Sequence, residues 1–357
     1  VKKLNSRERL PARAYASRMQ EEALGAPAAV AYQLAHDRNA YAELGEALRE
    51  QPPSSLLTVA RGSSDHAAHY MAYLMMARMG RLVTSLPMSL VTLYQSKIRC
   101  EGLVSFAFSQ SGQSPDLIAP TRFFRAGGAR TVAFVNAEGS PLAEAAQFVF
   151  PLHSGPELSV AATKSYICQL VAGARVVAAW SADDDLQAAL EQLPAALEQA
   201  AQQRWDVAVE VLKDVDKLFV IGRGTGYAVA MEAALKFKET CGIQAEAFSG
   251  AEVKHGPMAL VEQGYPMLVF APRGPAQAGL LALAEEMRGR GARVLLAAPA
   301  GIAKEVGAEL TLSCTGNEDL DPIAVVQSFY PMVEALARAR GRNPDSPPHL
   351  AKVTKTN

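Results

Sequence analysis

Glu232, Lys236, Glu239 and His255 lie within one stretch, EAALKFKETCGIQAEAFSGAEVKHGP. Carboxylate, ammonium and imidazole so close together suit the movement of protons on and off carbon. The first half predicts a helix, being rich in Ala, Leu, Lys and Glu with no Gly or Pro before Gly242. On that helix Glu232, Lys236 and Glu239 fall at i, i+4 and i+7 and share a face. A plainer reading accounts for the same spacing. Glu232 and Lys236 also make a surface i,i+4 ion pair, and a solvated helix face is the commoner fate of such residues. Beyond Gly242 the sequence loses its periodicity, and His255 is followed by Gly256-Pro257, which puts its imidazole on a loop.

The elements that must position these groups repeat along the chain. Residues from Tyr15 to Glu50 read as helical, with Pro27 breaking the run, and Pro52-Pro53 end it. Strands are expected at Ser55–Ala60, Leu103–Phe108, Thr131–Asn136 and Phe148–Leu152, with helices at His66–Met79 and Pro115–Arg125. Ser181–Trp205 reads as a connecting helix. The pattern then restarts with strands at Lys217–Ile221, Met267–Ala271, Val294–Ala298 and Glu309–Ser313, and helices around Ala278–Arg288 and Pro322–Arg340. Alternating strand, loop and helix means a parallel sheet flanked by helices, here duplicated: an α/β, three-layer, doubly wound domain in tandem.

Composition narrows the class. A chain of 357 residues has room for two domains, and a formal net charge of -1 argues against nucleic acid as a partner. Cys100, Cys168, Cys241 and Cys314 show no metal-binding or disulfide spacing and read as reduced thiols. The N-terminal stretch lacks the apolar segment of a secretory signal, and no run approaches the ~20 apolar residues of a membrane span. The expectation is a cytoplasmic protein without membrane contact.

Two loops have the makings of a ligand site. Ser109-Gln110-Ser111-Gly112-Gln113-Ser114 leaves a strand and enters a helix, where open α/β sheets bind ligands and unpaired N–H groups attract anions. Its hydroxyls and amide offer neutral donors to a phosphate. Ser114 before Pro115 is equally a helix cap, which leaves Ser109 and Ser111 unexplained. Arg61-Gly62-Ser63-Ser64 is a second such loop, placed to line the same crevice. Gly222-Arg223-Gly224-Thr225-Gly226 lacks dinucleotide-loop spacing, and NAD is not expected. His66 and His69 have no third ligand in view and read as structural, so no metal is expected. The tail carrying Lys352 reads, on its own, as a solvated end.

Together, FSQSGQSPD, ELSVAATKSY, IGRGTGYAVAMEAALKFKE, AEAFSGAEVKHGPMAL and HLAKVTKT, in this order from about Ser55 to Lys352, resemble the tandem sugar isomerase (SIS) family. The pattern is that of the isomerase half of glutamine–fructose-6-phosphate amidotransferase and of stand-alone glucosamine-6-phosphate deaminases of that type. The resemblance implies a helical segment over 1–50, SIS domains over 51–180 and 214–340 joined by a helix over 181–213, and a tail over 341–357 carrying an active-site lysine. It implies that Ser64, Ser109, Gln110, Ser111 and Ser114 hold a sugar phosphate, with Gly62, Ser63, Val160 and Ala161 beside them. It assigns C1–C2 proton transfer to Glu239 with Lys236 and Glu232 adjacent, ring opening to His255, and imine formation with a ketose phosphate to Lys352. This reverses the plainer reading of the tail. It implies no metal or other cofactor, and a homodimer in which His255 serves the neighbouring subunit's site.

The chain departs from the amidotransferase pattern in three respects. It shows no glutaminase segment, Ala162 stands where serine is usual, and Arg61 replaces a small residue. The expected reaction is conversion of glucosamine 6-phosphate and water to fructose 6-phosphate and ammonia. The rivals are a lyase for galactosamine or fructosamine phosphate, an ammonia-dependent synthase, and, ranked last, a non-catalytic sugar-phosphate sensor.

Overall fold

The structure, a computed structural model, describes residues 16–352. Most of the basic N-terminal stretch and the final residues of the HLAKVTKT segment therefore lie outside the described residues.

Three helices come first: α1 (Arg18–Leu24), α2 (Ala26–Ala35) and α3 (Arg38–Glu50). Pro27 does not break this run. It sits in the first turn of α2, where its missing N–H costs nothing. The breaks fall at Gly25 and at Asp37, which adopts φ 57°.

The first sheet comprises β1 (Ser55–Val59), β2 (Val83–Ser85), β3 (Leu103–Ser109), β4 (Arg130–Val135) and β5 (Phe148–Pro151). Helices α4 (Ser63–Met79), α5 (Ser89–Thr92), α6 (Pro115–Ala126) and α7 (Pro141–Ala145) join its strands. Three helices follow: α8 (Lys164–Ser181), α9 (Asp184–Ala201) and α10 (Asp206–Leu212). The single connecting helix expected over 181–213 is thus α9 and α10, parted at Gln202–Trp205. The second sheet comprises β6 (Lys217–Gly222), β7 (Gln244–Ser249), β8 (Pro266–Phe270), β9 (Arg293–Pro299) and β10 (Leu310–Leu312). With it come α11 (Gly226–Lys236), α12 (Gln277–Gly289), α13 (Ala300–Ala303) and α14 (Asp321–Ala339).

Every strand pairing in both sheets is parallel. The orders are β2-β1-β3-β4-β5 and β10-β9-β8-β6-β7. Read from its β7 edge, the second sheet repeats the first strand for strand, which is the signature of a duplicated α/β unit. The edge strands β2 and β7 escaped the sequence reading: β2 is three residues long, and β7 is only partly buried.

The largest core joins the two units, and α4, α8, α11 and α14 contribute to it. Helix α8 is buried on nearly every face, as its apolar sequence requires. A side chain at Gly173 would meet Met71 at 2.8 Å, so this glycine lets α8 lie against α4. The shared packing holds α4 of the first unit against α11 of the second. Among the described residues no helix is long and apolar enough to cross a membrane.

Candidate active site

The helix carrying Glu232 and Lys236 changes character at its end. Helix α11 stops at Lys236, and Phe237–Cys241 continues as a π-helical turn closed by Gly242 in the left-handed region. Such turns insert one residue into the helical spacing and are frequent at functional sites. This turn delivers Glu239 beside Lys236, and Lys236 Nζ contacts both Glu232 Oε1 (3.3 Å) and the Glu239 carboxylate.

The surface ion pair of the plainer sequence reading does not exist. The side chains of Glu232 and Lys236 are 0% exposed, whereas that of Glu239 keeps 21%. Glu232 accepts from Ser63 Oγ at 3.2 Å and from Tyr330 Oη at 3.1 Å, and its other oxygen meets His66 Nδ1 at 3.1 Å. Ser63 Oγ in turn accepts from Lys236 Nζ at 3.2 Å. Burial alone would raise the Glu232 carboxyl, but the Lys236 charge and the bonds from His66 and Ser63 outweigh it and hold it below its ordinary value. Burial likewise works against the Lys236 ammonium, yet Glu232 and Glu239 hold its pKa above the usual lysine value. The pair is therefore ionised, and it presents Glu239 at the edge of a cavity.

That cavity, of about 180 Å³, is lined by Glu239, Ser63, Val160, Ala162 and Lys352, among others. A second cavity of about 290 Å³ is walled by Gly62, Ser109, Ser111, Ser114 and Asp116. Arg61, Ser64, Gln110 and Lys352 line both, so the two are halves of one crevice. It opens at the carboxyl ends of β1 and β3. Ser109 Oγ accepts from Gly112 N at 3.0 Å and Ser111 Oγ from Gln113 N at 3.3 Å, which sets the loop's shape. Ser114 occupies the cap position of α6, but its hydroxyl makes no capping bond. Ser64 is fixed by the Gln169 amide, which donates to its Oγ at 2.9 Å. Arg61 forms an ion pair with the buried Asp116 at 2.9 Å. Ala161 is buried and lines neither half.

Lys352 is no solvated tail residue. Its ammonium donates to Glu157 Oε2 at 3.1 Å and to the Ser159 carbonyl at 2.7 Å. Glu157 is buried and also accepts from Ser165 Oγ at 2.6 Å and from the Thr163 and Ser165 N–H groups, each at 3.0 Å. Burial opposes its ionisation, but the Lys352 charge and these bonds prevail and hold its carboxyl below the ordinary value. His255 stands apart. It lies between two short 3-10 turns, is exposed, and lines neither half of the crevice.

Sequence reasoning missed Glu157, Tyr330 and the role of His66, which read there as structural. Glu157 heads the ELSVAATKSY segment, the one signal that could have found it. Among the described residues no group of three or more His, Cys, Asp or Glu is placed to hold a metal.

The loop geometry yields one expectation directly. Ser111→Ala should raise KM for a phosphorylated ligand by an amount equivalent to about 1–3 kcal/mol, with kcat little changed. Steady-state kinetics decide it, and an unchanged KM would remove the loop from the phosphate site.

Comparison with known proteins agrees with this architecture. The SIS domain family profile matches residues 50–179 and 211–315. The glutamine–fructose-6-phosphate aminotransferase [isomerizing] of Aeropyrum pernix is 36% identical over 314 residues, covering 84% of this chain and 50% of that protein. Its counterpart in Methanothermobacter thermautotrophicus is 32% identical over 315 residues, covering 87% and 52%. The chain thus spans about half the length of the curated relatives it matches. A crystal structure from Silicibacter pomeroyi DSS-3, assigned provisionally as a phosphosugar isomerase, superposes with a TM-score of 0.87 at 41% identity, covering 92% of this chain and 100% of that one. The glucosamine-6-phosphate deaminase of Thermotoga maritima shares the fold, with a TM-score of 0.75 at 20% identity, covering 95% and 100%. With paired parallel sheets, a serine-rich loop at the carboxyl end of the first and family matches over both, the chain belongs to the SIS domain family.

Proposed function

We propose that the chain is a phosphosugar isomerase of the deaminating kind, converting glucosamine 6-phosphate and water to fructose 6-phosphate and ammonia. The observation that carries this reading is the placement of Glu239. A partly exposed carboxylate, backed by a buried ion pair, shares one crevice with a serine-rich loop and with Lys352. The relatives at 32–36% identity, named for fructose 6-phosphate and for isomerisation, support the substrate class.

In this reading the phosphate rests on Ser109, Gln110, Ser111 and Ser114, with Arg61 supplying a cation whose Asp116 partner fixes its direction. After ring opening, Glu239 takes the proton from C2 and returns it to C1, leaving an imine at C2 and a hydroxyl on C1. Lys236, a buried cation held directly behind Glu239, adds a positive field to the enediol-like charge that develops between the two transfers. The Lys352 amine, having passed a proton to Glu157, then adds to C2 and ammonia departs, and water releases fructose 6-phosphate from the Lys352 imine and regenerates the amine. The chain with glucosamine 6-phosphate, without added metal, should release ammonia and fructose 6-phosphate in equal amounts. Release only from galactosamine 6-phosphate or a fructosamine phosphate would transfer the assignment to a sister activity. Amination of fructose 6-phosphate by free ammonia without net deamination would reverse its direction.

The exposed position of His255, outside the crevice of its own chain, supports a two-fold dimer in which this histidine completes the neighbour's site. Glu239→Ala and His255→Ala homodimers should each be nearly inactive. Random mixing should restore ~25% of wild-type activity, because half the dimers then hold one intact site. Background activity after verified subunit exchange would place both residues in one subunit's site.

A further inference from the structure

The duplication supplies a second crevice that the reaction does not use. In the first sheet the substrate crevice opens between the loops that follow β1 and β3. In the second sheet β6 and β8 hold the corresponding positions, and the loops after them frame a cavity of about 350 Å³. The loop after β1 reads Arg61-Gly62-Ser63 and the loop after β6 reads Arg223-Gly224-Thr225. Gly62 and Gly224 both take positive φ, 55° and 64°, and each triplet leads directly into a helix.

The charges around this cavity are unequally engaged. Arg273 is clamped by Asp321 at 2.7 and 2.8 Å, and Arg78 pairs with Asp183 and Asp319. Among the described residues, Arg223 on one wall and Glu318 on another make no ion pair and no side-chain hydrogen bond. The Thr225 hydroxyl does not cap α11 and is equally free. A guanidinium beside a free hydroxyl suits an anionic oxygen cluster, and a carboxylate across a cavity of this size suits the hydroxyl or amino groups at the far end of the same ligand. Among the described residues no lysine lines the cavity and no counterpart of the Glu232–Lys236–Glu239 cluster stands there, which favours binding over carbon-acid chemistry.

We propose that this second crevice binds, without turning over, a small phosphorylated sugar, its phosphate on Arg223 and Thr225 and its hydroxyl or amino end toward Glu318. Helix α11 begins at this cavity and ends at Lys236, so the two sites share one rigid element.

The test is calorimetric titration of the full chain carrying Glu239→Gln with glucosamine 6-phosphate, repeated with Arg223→Ala or Ser111→Ala added. Arg223 is exposed, so its replacement leaves the fold intact, which thermal unfolding verifies. A binding event weakened at least about tenfold by Arg223→Ala, the scale of a lost charge-assisted phosphate contact, and untouched by Ser111→Ala establishes the second site. The proposal is overturned if no event responds to Arg223→Ala, or if every event that does also responds to Ser111→Ala. Binding is counted rather than turnover, so a failure of the deaminase reading, seen as no ammonia from the wild-type chain, leaves this count interpretable.

Discussion

Glu239→Gln is expected to lower kcat by roughly 10²–10⁴-fold, the range for loss of a positioned acid–base group, while KM changes little. Glu239 is the member of its cluster that combines partial exposure with a place on the cavity wall, whereas Glu232 and Lys236 are sealed behind it. Glutamine keeps the shape and a hydrogen-bond acceptor for Lys236 but cannot shuttle a proton. The serine-rich loop belongs to the other half of the crevice and is untouched, so binding survives. Exchange of the C2 hydrogen with deuterated water should disappear together with product formation, and the unfolding midpoint should stay near that of the wild type. Retention of C2 exchange by the variant would assign the base elsewhere.

The second large effect falls on stability. Lys236→Met should destabilise the fold by about 3–5 kcal/mol, because it strands the buried Glu232 carboxylate without its counter-charge. Denaturant unfolding measures this, and adding Glu232→Gln should recover much of the loss. The pH dependence separates this cause from simple cavity formation. In the wild type Glu232 is held below its ordinary pKa, so its contribution is present above the ordinary carboxylate range and is lost as pH falls through the lowered folded value. Lys236 is held above its ordinary value, so its contribution is full below the ordinary lysine range and lost as pH rises through the raised one. The pair therefore supports a plateau across neutral pH. In Lys236→Met the sign for Glu232 inverts: with only the His66 and Ser63 bonds left against burial, its folded pKa rises, and stability should fall as pH rises toward neutral. A variant equally destabilised at every pH would show that the charge is not the cause.

The fold and the floor of the site were legible because local patterns encode them. Apolar runs such as SLLTVA and LVSFAF mark strands, and the loops that follow them identify the crevice. The helix carrying Glu232 and Lys236 was equally plain. What stayed hidden depends on contacts between distant segments. Ser63 and Tyr330 reach Glu232 from 169 and 98 residues away, and Glu157 meets Lys352 across 195. No local spacing reports such meetings, so a buried ion pair read as a surface one. The edge strand β7 was invisible for a related reason, since partial burial leaves it without clean alternation. The π-helical turn has no residue signature of its own; tertiary packing decides it.

That turn makes length, more than composition, the constrained quantity between Phe237 and Cys241. Removing Lys238 would return the segment to α-helical spacing with the flanking residues facing nearly as before, because the turn holds one residue more than an α-helical turn does. Gly242 and the register that pairs Lys217 with Gln244 would keep their places, whereas Glu239 would fall two positions from Lys236 and turn away from it. Side chains along this stretch can be exchanged one at a time at graded cost. A single-codon deletion has no graded version, and it would dismantle the Glu232–Lys236–Glu239 cluster while sparing the edge of the second sheet.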